Sequence, residues 1–275
     1  MQNAPLYLIP FDFSEVSLSA LKLGIDLAEA NNGNVMLLHI ASKQSEKKEL
    51  KKKIKAIVSE QTKDHQKLID TRVLVGDLYE DIAKAGELLD ASLIVMGTHG
   101  AHGFQKIFGS HAVKMISHSS TPFLITKGKK TVEKIKTIVL PFSFEKKTIQ
   151  VINFAAKIAK KFSATIHLVG CHDKDEWLEK HMKNNQKIVR GHLETNGVNH
   201  VIANISIGSN FEKELMKYAE SVDADLMAAG YYQDGIITNP NSFIQSMIEN
   251  DLNLPLLTVN AEELNLSKGN IVTSL

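Results

Sequence analysis

Residues 93–120 read LIVMGTHGAHGFQKIFGSHAVKMISHSS, and they join an apolar run to a glycine-rich segment and a helical pattern. The apolar run LIVM predicts a buried strand that leads directly into Gly97. Gly97-x-x-Gly100 is followed, after eight residues, by Gly109 and Ser110 at the predicted start of a helix. This order is typical of phosphate sites, because glycine lets the backbone approach an anion and helix N–H groups point at it. The segment predicts a nucleotide site, with a plain surface loop as the alternative.

Length, charge and cysteine content limit the class of protein. The chain has 275 residues, a formal net charge of +1 and one cysteine, Cys171. This length predicts about two domains, and near-neutral charge argues against a nucleic-acid or membrane partner. The N-terminal MQNAPLYLIPFDF lacks the features of a signal peptide, and no run approaches about 20 apolar residues. We therefore expect a cytoplasmic protein, and a single cysteine fits that reducing compartment.

The chain repeats itself. LIPFDF at 8–13 recurs as VLPFSF at 139–144, and DASLIVMG at 90–97 recurs as DADLMAAG at 223–230 with nearly the same spacing. Such a repeat indicates two copies of one structural unit. It predicts three segments: a nucleotide-binding domain at 1–130, a degenerate second domain at 131–263 and a tail at 264–275.

Each copy alternates short apolar strands with helical patterns, which is typical of parallel sheets covered on both faces. In the first copy, the predicted strands are 6–10, 35–40, 70–75, 92–96 and 122–126. The predicted helices are 15–31, 45–67, 78–90 and 110–118, with Ser14, Asp77 and Ser110 at cap positions. The predicted fold class is α/β, with two tandem doubly wound five-stranded parallel-sheet domains of Rossmann-like type. Apolar last strands predict an intramolecular pseudo-dimer in which the domains are related by a pseudo-twofold axis.

The predicted topology brings two motifs together. Ligands of such sheets bind beyond the carboxyl ends of the strands where strand order reverses, between strands 1 and 4. Strand 1 ends at Pro10 and Asp12, and strand 4 ends at Met96 and Gly97. Asp12 could accept hydrogen bonds from a sugar hydroxyl or an exocyclic amine, or it could cap the following helix. Met96 and Ile40 would offer apolar walls.

These motifs resemble those of tandem universal stress proteins, in the adenine-nucleotide alpha-hydrolase-like superfamily, over nearly the whole chain. Residues 10–14, Pro-Phe-Asp-Phe-Ser, match the family's Pro-x-Asp-x-Ser. The glycine loop matches Gly-x-x-Gly-x9-Gly-[Ser/Thr], although its spacer here is one residue shorter. The resemblance implies that the chain binds ATP, ADP or AMP, with or without Mg²⁺, in a stress response or in signalling.

The resemblance also implies roles for individual residues. Asp12, beside Pro10, and the backbone at Ile40 would contact the nucleoside, while Met96 would pack on the base. The residues that would hold the phosphates are Gly97, Gly100, Gly109, Ser110 and His111.

The second copy departs from this pattern. Ser143 stands in place of the aspartate, and Tyr231 and Tyr232 follow Gly230 where a phosphate would need open backbone. We therefore expect a non-binding partner domain, with a different small ligand as the alternative.

Two groups of potential metal ligands occur in the chain. Their members are His99, His102 and His111, and Cys171, His172, Asp173 and His181. The histidine group lacks a cysteine and matches no known zinc spacing. The second group could also suggest a Cys/His nucleophile, but Cys171 falls where the repeat places Ile40, a packing position at a strand end. We predict no metal site. The chain also lacks the lysine-containing P-loop and the serine nucleophile elbow.

The favoured function is a nucleotide-binding stress or signalling protein without efficient catalysis and with an unknown protein partner; a homodimer is compatible with it. The alternative is a slow ATP-hydrolysing or phosphotransfer enzyme that uses the same site. A third reading is a scaffold without nucleotide that acts through protein partners alone.

Overall fold

Short apolar runs form parallel strands in the computed structural model. It describes residues 4–98, 109–128, 135–142, 147–172, 176–206, 210–232, 237 and 239–261. The chain divides into two compact units, Met1–Glu133 and Lys134–Leu275.

The first unit is a five-stranded parallel sheet with strand order β3-β2-β1-β4-β5. Its strands are β1 (Leu6–Pro10), β2 (Asn34–Ala41), β3 (Ile69–Val75), β4 (Leu93–Gly97) and β5 (Phe123–Thr126). β1 is central and pairs with β2 on one side and β4 on the other, so the strand order reverses between β1 and β4. The doubly wound fold predicted from the sequence is confirmed.

In the described part of the first unit, the helices that connect these strands are α1 (Glu15–Asn31), α2 (Lys47–Ser59), α3 (Lys63–Leu68), α4 (Leu78–Leu88) and α5 (Gly109–Ser117). α1 buries an aliphatic face against β1 and β4, and Ser14 and Asp77 cap α1 and α4 as predicted. The cap prediction for Ser110 is wrong by two positions, because α5 begins at Gly109 and Ser110 lies in its first turn.

The prediction of one continuous helix over 45–67 is wrong. The segment contains a 3-10 turn at Gln44–Glu46, then α2, a break, and α3. Thr62 caps α3 by accepting a hydrogen bond from the His65 N–H. The Gln66 amide donates to the carbonyls of Ser59 and Gln61, at 3.2 and 2.8 Å. These side-chain bonds satisfy backbone groups that the break would otherwise leave unpaired.

The second unit repeats the first, with strand order β10-β9-β6-β7-β8 and parallel pairing. Its strands are β6 (Thr137–Pro141), β7 (Thr165–His172), β8 (His200–Ser206), β9 (Leu226–Tyr231) and β10 (Leu256–Asn260). Its helices are α6 (Thr148–Phe162), α7 (Glu176–Thr195), α8 (Phe211–Ser221) and α9 (Pro240–Glu249). The predicted fold class of two tandem doubly wound parallel-sheet domains is confirmed, and the domain bounds drawn from the repeat stay a prediction. No helix in the described part of the chain is long and apolar enough to cross a membrane.

The capping of α1 gives a test of this fold. Ser14→Ala removes the side-chain acceptor of the Ser17 N–H and the hydroxyl that donates to Asp12. We expect the opening free energy of α1, measured by native-state hydrogen exchange, to fall by about 1–2 kcal/mol. Ser59→Ala, which removes an exposed hydroxyl bond to Ala56, should change stability by less than about 0.5 kcal/mol. Equal effects of the two substitutions would contradict the capping role.

Candidate functional site

The reversal of strand order brings the ends of β1 and β4 side by side. The parallel register pairs Leu8 with Ile94, and two residues further along lie Pro10 and Met96. Pro10 is buried, and Met96 is 1% exposed. The Met96 side chain, which was predicted to form an apolar wall of the site, is therefore packed within the end of the sheet. Parallel sheets of this type bind ligands at such an edge.

β2 supplies the other side of this edge. It pairs with β1 as far as Pro10 and Leu38, and the Phe11 N–H donates to the Leu38 carbonyl at 2.8 Å. Asp12 and Ile40 lie two residues beyond that last pair, and Ile40 is half-buried. The structure therefore brings the predicted nucleoside-contacting residues to the same end of adjacent strands.

Asp12 is a buried carboxylate held by the start of α1. It is 6% exposed, and its Oδ1 accepts hydrogen bonds from the Ser14 N–H and hydroxyl, at 3.1 and 2.5 Å. The Ser14 Oγ in turn accepts from the Ser17 N–H at 3.2 Å, which makes Ser14 the N-cap of α1. The alternative that Asp12 itself caps the helix is wrong, because Asp12 lies two residues before the cap.

Aromatic residues fix the loop on either side of Asp12. Phe13 adopts a left-handed backbone with φ of 65°, a costly conformation for a bulky residue that often marks functional sites. Its ring lies 5.2 Å from that of Phe11 and 5.0 Å from that of His39. The His39 Nδ1 is 2.6 Å from the Phe11 carbonyl, and since a carbonyl only accepts, Nδ1 carries the proton.

Burial lowers the pKa of His39, and the opposing effects of the Phe11 carbonyl and the Asp12 charge are smaller. The imidazole is therefore favoured in its neutral form beside the loop. Sequence reasoning did not find Phe13 or His39. A histidine beside the already selected Ile40 was the available signal, but its contact with the β1 loop depends on the tertiary fold.

Gly97 allows α1 to approach the end of β4. A Cβ at this position would overlap the Val16 Cγ1 and would lie 3.0 Å from the Val16 backbone carbonyl carbon. Backbone atoms cannot move aside without shifting the helix, so packing alone requires glycine here. This close approach also brings the first turn of α1, which holds Asp12, to the ends of β1 and β4.

The predicted phosphate loop is only partly placed. Gly100 lies outside the described residues, as do His99 and His102, while Gly109 and Ser110 form the first turn of α5. His111 follows, and its ring stacks on that of Tyr79, with centroids 4.7 Å apart and an interplanar angle of 13°. Among the side chains that the structure describes, no group of three or more His, Cys, Asp or Glu residues could hold a metal ion.

The equivalent position in the second unit is filled by the protein itself. A Cβ on Gly230 would overlap the Tyr232 ring and would lie 2.8 Å from the Val151 Cγ2. Tyr232 is 2% exposed, and its hydroxyl is 2.7 Å from that of buried Thr148, the first residue of α6. Tyr231 is directed elsewhere and donates to the Asn241 side chain at 2.9 Å.

Comparisons with known proteins agree with this architecture. Residues 7–127 match the sequence model of the Universal stress protein family. A universal stress protein of Methanocaldococcus jannaschii is 30% identical, over 43% of this chain and 79% of that protein. The chain belongs to the universal stress protein family.

Solved structures extend the likeness in fold to both units. A universal stress protein from Archaeoglobus fulgidus has 19% identity and a TM-score of 0.69, over 93% of this chain and 96% of that one. A putative universal stress protein from Pseudomonas aeruginosa has 15% identity and a TM-score of 0.65, over 96% and 97%. At these identities the matches establish the shared fold.

The packing role of Gly97 can be measured. Gly97→Ala should destabilise the first unit by about 1–3 kcal/mol, because the new methyl group forces α1 away from β4. Val16→Ala in the same chain should recover part of this loss by removing the Val16 methyl groups. Chemical denaturation, with hydrogen exchange of α1 amides to locate the effect, provides the measurement.

Gly191→Ala is the matched control, because a Cβ on this α7 residue would meet nothing within 4 Å. It should stabilise the helix by about 0.5–1 kcal/mol through alanine's higher helix propensity. A neutral Gly97→Ala variant would show that α1 does not pack tightly on β4.

Proposed function

We propose that the first unit binds one adenine nucleotide per chain (ATP, ADP or AMP, with or without Mg²⁺), as part of a cytoplasmic stress-response or signalling role. The observation that carries this proposal is the buried Asp12 carboxylate, held by Ser14 where the strand order reverses. A carboxylate kept at that edge accepts hydrogen bonds from the hydroxyl groups of a ribose. Membership of the universal stress protein family supports a site at this edge.

The remaining groups complete a nucleotide site in this proposal. The base lies against Ile40 and the end of β4 at Met96, and the phosphates lie at the start of α5. The first N–H groups of a helix lack partners within the helix, and the helix dipole favours negative charge there. Gly97, Gly100, Gly109, Ser110 and His111 are the proposed phosphate-binding residues.

The second unit has no nucleotide site in this proposal. Its Tyr232 side chain occupies the space above Gly230 and bonds to Thr148 at the start of α6. A phosphate there would have to displace a buried ring and break that hydrogen bond. Ser143 also replaces the carboxylate of Asp12 in the repeat.

We propose binding without efficient turnover. Enzymes that transfer phosphoryl groups combine a lysine, a metal ion and a group that orients the nucleophile. Among the described residues at the ends of β1 and β4, Asp12 is the carboxylate that could act as such a group. Its Oδ1 already accepts hydrogen bonds from the Ser14 N–H and hydroxyl. Backbone donors that bind ground state and transition state alike give affinity and little rate. The nucleotide thus serves as a signal whose occupancy a protein partner reads.

Calorimetric titration of the full chain with ATP tests the site. We expect one site per chain and, for Asp12→Asn, about tenfold weaker binding, because the amide keeps the acceptor for Ser14 but loses the charge. The control is Asp70→Asn, an exposed carboxylate near the amino end of β3. Two equivalent sites, or unchanged affinity in Asp12→Asn, would contradict the proposal.

Steady-state phosphate release tests turnover. We expect a rate well below about one per second, the lower end of the range for ordinary enzymes, because Asp12 is the carboxylate among the described residues at this edge and its Oδ1 already accepts from Ser14. A faster rate that disappears in both Asp12→Ala and Ser110→Ala would instead establish the alternative of an ATP-hydrolysing or phosphotransfer enzyme.

A further inference from the structure

The ring stack between α4 and α5 assigns a role to a residue outside the predicted site. We propose that Tyr79 is a positioning residue for the nucleotide phosphates, acting by holding the imidazole of His111 at the start of α5. This inference rests on the proposed nucleotide site. It explains a contact between two residues on separate helices that neither the fold nor the glycine motif requires.

The stack joins two helix N-termini at the same edge of the sheet. Tyr79 is the second residue of α4, which follows β3, and His111 is the third residue of α5, which follows β4. Their ring centroids are 4.7 Å apart and their planes are nearly parallel, at 13°. Since parallel strands end at one edge, both residues lie on the side of the sheet edge at which the phosphates are proposed to bind.

The backbone at Tyr79 is held in place by the N-cap of α4. The Asp77 side chain caps α4 by accepting from the N–H groups of Tyr79 and Glu80, at 2.9 and 3.0 Å. These two hydrogen bonds lower the pKa of Asp77 and keep its side chain charged. The bond from the Glu80 N–H has the larger effect, and Lys114 of α5 makes a smaller contribution. The cap sets the backbone from which the Tyr79 ring extends towards α5.

The other ends of the same helices are also tied. The Ser120 N–H and hydroxyl, just after α5, both donate to the Glu87 carboxylate of α4 at 3.0 Å. The helices are therefore joined at both ends. The ring stack joins their N-terminal ends, which are the ends nearer to the proposed phosphate site.

The stack has a chemical consequence for an anionic ligand. Burial raises the pKa of the Tyr79 hydroxyl, with a smaller contribution from the Asp77 charge, so the ring is a neutral phenol near neutral pH. A neutral aromatic face packs against an imidazole ring without placing a negative charge beside an anionic ligand. Tyr79 would therefore hold the His111 ring in one plane, from which a ring N–H can donate to a phosphate oxygen.

The test compares a ligand with phosphates to one without. ATP and adenosine are titrated against the full wild-type chain and against Tyr79→Ala, Tyr79→Leu and Tyr79→Phe, with adenosine measured by competition. Tyr79→Ala and Tyr79→Leu should weaken ATP about fivefold, the size expected for a lost ring pair, and leave adenosine unchanged. Tyr79→Phe keeps the ring and should restore ATP affinity. Tyr79→Leu keeps apolar volume, so it serves if the alanine variant fails to fold.

Two controls separate positioning from general stability. In a His111→Ala background, Tyr79→Ala should weaken ATP no further, because the group that it positions is gone. Tyr218→Ala removes a histidine–tyrosine contact in the second unit, where the His167 and Tyr218 rings are tilted by 53° with centroids 5.9 Å apart and the hydroxyl lies 2.8 Å from Nδ1, and it should leave ATP affinity unchanged.

The outcomes distinguish this inference from the proposed function. A wild-type chain that binds no ATP overturns both. ATP binding that survives Tyr79→Leu unchanged overturns only the role of Tyr79. Equal weakening of ATP and adenosine, or an effect that persists without His111, would mean that Tyr79 merely supports the fold, which also overturns it.

Discussion

The contact between the first turn of α1 and the end of β4 is the constraint on which the candidate site depends. Gly97 permits it, because any side chain there would meet the backbone of Val16. The same turn begins at Ser14, whose hydroxyl links the capped helix to the Asp12 carboxylate. Helix packing, helix capping and the placement of a buried carboxylate are therefore one continuous arrangement. A shift of α1 away from the sheet would disturb all three.

Strands β1 and β4 were predictable because they are short apolar runs with clear ends. The prediction for β1 matches the observed Leu6–Pro10, and that for β4 differs by one residue at each end. The lysine-rich segment over 45–67 was not predictable to the same degree. Its helix α2 has Ile54 as its one buried residue, so little apolar periodicity reveals where the helix ends. The break before α3 depends on side-chain bonds from Thr62 and Gln66, which periodicity does not encode.

The sheet edge that carries the candidate site was also predicted from the sequence, because alternating strands and helices are typical of doubly wound sheets, which commonly reverse their order between strands 1 and 4. Which side chains contact one another there could not be predicted. His39 reaches the β1 loop from a neighbouring strand, and Tyr79 reaches His111 from another helix. Each contact joins residues far apart in the chain, so it exists only once helices and strands have packed. Sequence motifs select the strand ends, and tertiary packing selects the residues that support them.

The two units together show what a glycine at the end of a strand does and does not indicate. Gly230 occupies the position of Gly97 in the repeat, and it too is closely packed, against Val151 and Tyr232. Its retention is thus explained by packing in a unit for which we propose no nucleotide. The same explanation applies to Gly97, so that glycine alone is weak support for a ligand. The argument for a site in the first unit rests instead on the residues that differ in the repeat, namely Asp12 in place of Ser143 and His99 in place of Tyr232.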